Sequence, residues 1–228
     1  VNAKKQAAGS PKQDFASWHR HLERLHQDLT GLEQSLECTE ALLSAFGEKR
    51  SRFVFPFIAG AFGQLMSIGV RRLYRRGSSK YQNVALSRLL DSIEAQPETL
   101  LRFGDPSSIR IWTQVASRAA PTSQDVLRAI VRDRARLEAS LKNVASYADT
   151  IAHLQIGRVT IKGKAVAAAV ADLRRTIDEY HRVIGEQGPW YLDPSRFTAG
   201  VEEELDQLVV GRLPQRPRGS SRRPPPRT

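Results

Sequence analysis

Phe15, Trp18, Leu22, Leu25, Leu29, Leu32 and Leu36 follow one another at alternating steps of three and four, and Leu43 and Phe46 continue the frame. This spacing places one apolar stripe on a long helix, with Asp14 as its N-cap, a bend at Gly31 and an end between Gly47 and Ser51. Such a stripe either zips to a second copy as a coiled coil or packs on neighbours within its own bundle. A second long stripe lies between Gln124 and Gln155, where Ile130, Leu137, Leu141, Val144, Ala148 and Ile151 recur at steps of three, four or seven. Gly157 is the expected C′ residue of that helix. Asp133 falls inside the stripe, and a carboxylate on a core-facing side needs a partner. If the preceding apolar helix packs antiparallel here, Arg71 or Arg72 is the expected counter-charge, as a structural ion pair with Asp133.

Between these stripes, Pro56 suits the first turn of a helix that runs through Leu65, Ile68 and Leu73 to Arg76. Gly60, Gly63 and Gly69 each weaken it by about 1 kcal/mol relative to alanine, which predicts close packing against another helix. No strand precedes these glycines and no Gly-Lys-Ser/Thr follows, so they are not a phosphate loop. Val84, Leu86, Leu89, Leu90 and Ile93 predict a short helix stopped before Pro97. PETLLRFGDPSS reads as a broken region, followed by a short amphipathic piece around Ile109, Ile111, Trp112 and Val115. Thr160 or Lys162 starts another helix, with Val166, Val170, Leu173, Ile177, Tyr180 and Ile184 as its stripe, and Val201 to Val210 is the final one. RVTIKGKA alternates with a period of two but is too short to found a sheet. The expected fold is all-α, a single-domain bundle of about six helices with two long antiparallel pairs. The helical domain spans 14–211, between a disordered basic arm at 1–13 and a disordered Arg/Pro-rich tail at 212–228.

Charge modifies this picture mainly at the tail. The chain carries a formal net charge of +11, and its segment from Arg212 to Thr228 holds six arginines, Arg222 and Arg223 among them, and no acidic residue. Such a tail attracts nucleic acid or an acidic partner through counterion release, or simply solubilises the chain. The single cysteine, Cys38, excludes an internal disulfide and a cysteine-rich metal site. No apolar run reaches the roughly 18 residues of a membrane span, and the first residues are polar and basic, so a cytoplasmic protein without membrane contact is expected.

The chemistry-bearing residues are sparse. His19, His21 and His26 share the first helix, but no His-x3-His pair occurs, so neither a zinc site nor any other metal or cofactor is expected. A Ser/His/Asp hydrolase would need a strand-turn-helix elbow. Arg71, Arg72, Arg75 and Arg76 close the second helix, where they either grip a phosphate backbone or complement the helix dipole. Asp149 and His153 fall together on the face opposite the apolar stripe of the long helix. An arginine beside an imidazole would allow acid-base chemistry on RNA.

The run IGVRRLYRRGSSKYQNVALSRLLDSIEAQP, followed by helices ending YADTIAHL and IDEYHRVI, resembles the abortive-infection (AbiU-type) branch of the HEPN superfamily, the higher eukaryotes and prokaryotes nucleotide-binding domains. The resemblance spans roughly Trp18 to Ile184. It implies an all-α bundle, often a homodimer, in toxin-antitoxin or phage-defence systems, where active members are metal-independent ribonucleases with an arginine, four to six residues and then a histidine. His153 matches that histidine, with Asp149 as the accompanying catalytic candidate. The chain departs from the pattern where the arginine belongs, because Ser146, Tyr147 and Ala148 stand there. The expectation is therefore a non-catalytic module that binds RNA or a partner protein such as an antitoxin. The alternative is a metal-independent endoribonuclease using His153 with Arg71 or Arg72 as a substitute arginine. Arg20 with His26, and Arg174 or Arg175 with His181, also have the required spacing, but both lie mid-helix and the spacing alone decides nothing.

Overall fold

Trp18, Leu22, Leu25 and Leu29 are fully or almost fully buried, and Phe15, Leu32 and Leu36 pack against the core at its margin. They belong to α1 (Pro11–Gly47), the first of seven helices in a computed structural model that describes residues 11–47, 54–75, 84–116, 119–152 and 161–185. The stripe is covered by the chain's own helices, including α2 (Val54–Tyr74) and α7 (Gly163–Ile184), and so is no free coiled-coil seam. No strand occurs among the described residues, and none of their helices is long and apolar enough to cross a membrane. The expected final helix at Val201 to Val210, Gly157 and the RVTIKGKA run through Thr160 lie outside the described residues.

In α2 the buried face is Met66, Val70, Leu73 and Tyr74, whereas Leu65 and Ile68 are exposed. The helix is apolar almost all round, so periodicity alone cannot say which side turns in. Close contacts do. A Cβ added to Gly69 would lie 2.6 Å from Cδ1 of Leu32, and one on Gly63 would lie 3.2 Å from Cγ2 of Ile161. Gly60 meets nothing within 4 Å, so close packing accounts for two of the three glycines.

The short helix expected before Pro97 is present as α3 (Leu86–Ala95), whereas the expected broken region is instead helical, as α4 (Pro97–Phe103) and the start of α5 (Pro106–Thr113), which continues into the amphipathic piece around Ile109 and Trp112. Proline opens both α4 and α5 at a position with no N–H to lose. The Asp105 carboxylate caps α5 by accepting from the Ser108 amide at 2.7 Å. A Cβ on Gly104 would lie 2.6 Å from the Val183 carbonyl, so the α4–α5 turn can approach the end of α7 only with glycine there. α6 (Ser123–Ala152) begins with a reciprocal cap, in which Asp125 accepts from the amide and hydroxyl of Thr122 and the Thr122 hydroxyl accepts from the Asp125 amide. α7 ends at Gly185, whose φ of 87° is the left-handed conformation glycine adopts without strain.

Two antiparallel pairs form the frame. Ascending α1 from His26 to Glu33 meets α7 descending from His181 to Arg174, and the end of α2 lies along the C-terminal half of α6. The stripe of α7 is buried as expected from Val166 through Ile184, and that of α6 from Ile130 through Ala148.

Candidate functional site

The arginines that close α2 meet α6 at one carboxylate. Arg71 Nε is 2.6 Å from Asp149 Oδ1, and Arg75 Nη1 donates to Oδ2 at 3.2 Å. Tyr74, Glu138, Lys142 and Ser146 are among the residues that line a cavity of about 530 Å³ beside this junction. Burial first, and then the Glu138 carboxylate, raises the Tyr74 hydroxyl above its ordinary pKa, against the opposing effect of Arg134 and Arg75. Arg72 points to the exposed side. His153, Arg76, Arg222 and Arg223 lie outside the described residues. At the positions where the resemblance calls for an arginine, Ser146 is exposed, while Tyr147 and Ala148 are buried.

Asp133 is fully buried, as its place in the stripe requires, but Arg71 and Arg72 are not its partners. The antiparallel packing of α2 on α6 is as expected, and the register is not. Arg71 arrives at Asp149, sixteen residues or about 24 Å further along the helix. Asp133 Oδ2 instead accepts from the Trp112 indole at 2.8 Å and from the Tyr180 hydroxyl at 3.3 Å. Its Oδ1 faces Arg136 Nη2 at 3.4 Å and Arg132 Nε at 3.6 Å, both from its own helix. Trp112 and Tyr180 also meet edge to face, with ring centroids 5.2 Å apart. The carboxylate therefore ties α5, α6 and α7 together. Burial, followed by the charge of Asp133, holds the Tyr180 hydroxyl well above its ordinary pKa, so it stays a donor.

A second cluster, between α1 and α7, combines residues that sequence spacing had paired differently. Arg174 reaches across to α1, donating from Nε to Glu33 Oε1 at 2.8 Å and from Nη2 to Glu33 Oε2 in a bidentate pair. Its Nη2 also donates to the Thr30 hydroxyl at 3.1 Å, and its Nη1 to His26 Nδ1 at 3.0 Å. Because a guanidinium only donates, Nδ1 of His26 is the acceptor. The His26 and His181 rings stand edge to face at 5.5 Å, and Asp178 Oδ1 lies 3.7 Å from Arg174 Nη1. A cavity of about 620 Å³ opens over this cluster, with Leu36, Ala167, Val170 and Ala171 as its apolar wall. On its rim, partial burial and then Glu33 and Glu40 push the Glu37 carboxyl up.

Arg20, which stands at the required spacing from His26 in the sequence, is exposed, and the arginine that meets the His26 ring is Arg174. The signal that would have found the cluster is the face formed by His26, Thr30, Glu33 and Glu37, at steps of three and four beside the apolar stripe. The guanidinium is directed at Glu33, an arrangement that fixes two helices and leaves its charge already balanced. His19 packs edge-on against Phe15, and His21 donates from Nε2 to the Ala85 carbonyl at 3.0 Å. Among the described residues, no three His, Cys, Asp or Glu side chains converge as a metal-binding group. Compared with known proteins, the chain matches no family model, no curated protein and no solved structure.

Proposed function

We propose that this chain is a non-catalytic helical module of the HEPN type, serving a toxin-antitoxin or phage-defence system by binding RNA without cutting it. The observation that carries this reading is the commitment of Arg71 and Arg75 to Asp149. A ribonuclease of this type needs a guanidinium free to balance charge on a phosphorane oxygen. Here both arginines at the α2–α6 junction are held by one carboxylate, which offsets one of their two charges and keeps both guanidinia engaged, and the positions before His153 carry no arginine. Binding asks less of the site. Half-exposed Arg75, exposed Arg72 and Lys142, and the six arginines from Arg212 onward supply positive charge that RNA phosphates recognise without chemistry.

The test pairs binding with integrity of the RNA. Fluorescence anisotropy with a labelled single-stranded RNA, across a salt series, should show binding that weakens steeply with salt. Deleting Arg212 to Thr228 should lower the affinity and make the slope of log K against log salt shallower by up to about 4, at roughly 0.7 for each phosphate no longer neutralised. The same RNA incubated in EDTA should stay intact. Cleavage that disappears in His153→Ala would instead establish the ribonuclease, and intact RNA with no binding would leave a protein partner as the ligand.

A further inference from the structure

We propose that the cavity between α1 and α7 is a binding site for a small organic cation with an apolar body, an alkyl- or arylammonium whose charge is received by Glu37. The antiparallel packing of the two helices sets polar groups opposite one another along their length. His26 stands edge to face against His181, and further along α1 Thr30 and Glu33 hold Arg174. Continuing the same register by one more turn places Glu37 opposite Val170 and Ala171, where no cationic side chain stands. Side chains this small leave open a cavity of about 620 Å³, which is the size of a site for a small molecule. Leu36, Ala167 and Val170 give it an apolar wall, with Glu37 on its rim.

Glu37 Oε2 is shut off from water and accepts no hydrogen bond among the described residues. A carboxylate oxygen so placed is costly until a donor reaches it. The cations that line the cavity are engaged elsewhere. Arg174 is directed at Glu33, Arg175 pairs with Asp172 on its own helix at 2.5 Å, and Arg182 Nε donates to the Asp178 carbonyl at 3.3 Å. Burial and the charges of Glu33 and Glu40 raise the Glu37 carboxyl, with no cation set against them. An ammonium brings both the missing charge and up to three N–H donors, while its hydrocarbon part covers the apolar wall. An anion is repelled by Glu37 and a neutral body leaves its charge unpaired, so the rim selects a cation. The chain's net charge of +11 opposes any general attraction of cations, so such selectivity has to be local. The cavity shares no residue with the one at the α2–α6 junction, and the site therefore stands independently of RNA binding there.

Hexylamine, 1-hexanol and hexanoate share one body and differ in charge. Titrated into the full chain at neutral pH and followed by isothermal calorimetry, the protonated amine should bind at least about tenfold more tightly than the alcohol, as one charge-assisted hydrogen bond requires. Hexanoate should not bind. Glu37→Gln keeps the shape of the rim and removes its charge, so it should bring the amine down to the affinity of the alcohol. Ala171→Leu fills the cavity from an exposed position of α7, which leaves folding secure, and should abolish binding of both with unchanged helical circular dichroism. Glu40→Gln, at an exposed carboxylate outside the lining, should leave the preference for the amine in place. Three results overturn the proposal: hexylamine that binds no more tightly than hexanol or not at all, a preference that survives Glu37→Gln, or binding that is indifferent to Ala171→Leu.

Discussion

The Trp112 indole donates to the Asp133 carboxylate at 2.8 Å, and both groups are almost completely shut off from water. Removing the carboxylate leaves the indole N–H, the Tyr180 hydroxyl and two guanidinia facing a void. Asp133→Ala should therefore cost about 3 to 5 kcal/mol, the usual penalty for breaking a buried charged pair. Asp133→Asn retains an acceptor and should cost clearly less. Trp112→Phe should cost about 1.5 to 3 kcal/mol, the range for a hydrogen bond to a charged group plus poorer packing. Urea melts of Trp112→Phe, Asp133→Asn and the double variant should give a coupling energy above about 0.5 kcal/mol. Additive effects would show that the indole only fills space.

Tyr180 makes this carboxylate visible at alkaline pH. Its folded pKa stands well above the ordinary 10.0, through burial first and Asp133 second. Above that ordinary value the unfolded chain releases a proton that the folded chain keeps, so stability falls as pH rises. The contribution is fully present below about pH 10 and is lost above it. Tyr180→Phe should flatten the alkaline limb of stability by up to about 1.4 kcal/mol per pH unit, one proton's worth. Tyr74, also raised, should leave some slope behind. Chemical denaturation from pH 9 upward measures both, and an unchanged limb in Tyr180→Phe would assign the slope to other groups.

Much of the frame was legible because α1, α6 and α7 are polar on one side, so the stripes from Trp18, Ile130 and Val166 could face only one way. The two long antiparallel pairs followed from their lengths. What stayed hidden was register and side. α2 lacks a polar face over most of its length, so Leu65 and Met66 look equally suited to the core, and only the contact of Gly69 with Leu32 separates them. Asp133 announced that it needed partners, but no one-dimensional pattern says that an indole from α5 and a phenol from α7 would meet it. The Arg174 cluster was invisible for the same reason, since its parts stand more than 140 residues apart in the chain.

His21 contributes to the acid side. Burial lowers its pKa more than the hydrogen bond to the Ala85 carbonyl raises it, and Arg88 and Arg24 add to the lowering. Below the ordinary value of 6.5 the unfolded chain takes up a proton that the folded chain resists, so this contribution is present above about pH 6.5 and lost as pH falls. His21→Gln preserves a donor for Ala85 without titrating. It should flatten the stability profile between about pH 6.5 and 5.5 by up to roughly 1.4 kcal/mol per pH unit, leaving neutral stability changed by about 1 kcal/mol or less. Denaturant midpoints at half-unit steps test this, and parallel profiles for the two proteins would mean that His21 charges freely in the folded state.

Asp149 separates a stabilising role from a binding one. Its side chain is 33% exposed and those of Arg71 and Arg75 are 42% and 53% exposed, so solvent screens the pair and it should contribute about 1 kcal/mol or less. Asp149→Asn should accordingly shift the urea midpoint only slightly. It also removes the one negative charge set against two guanidinia at the α2–α6 junction. If RNA phosphates bind there, its affinity at low salt should rise by about three- to tenfold, and the salt slope should steepen by about 1 as freed arginines take up phosphate contacts. Arg71→Ala with Arg75→Ala should move both quantities in the opposite direction. Anisotropy titrations of the three proteins against one labelled RNA decide the matter. An affinity that ignores all of these changes would confine the arginines to holding α2 in register on α6, and RNA would have to bind elsewhere on the chain.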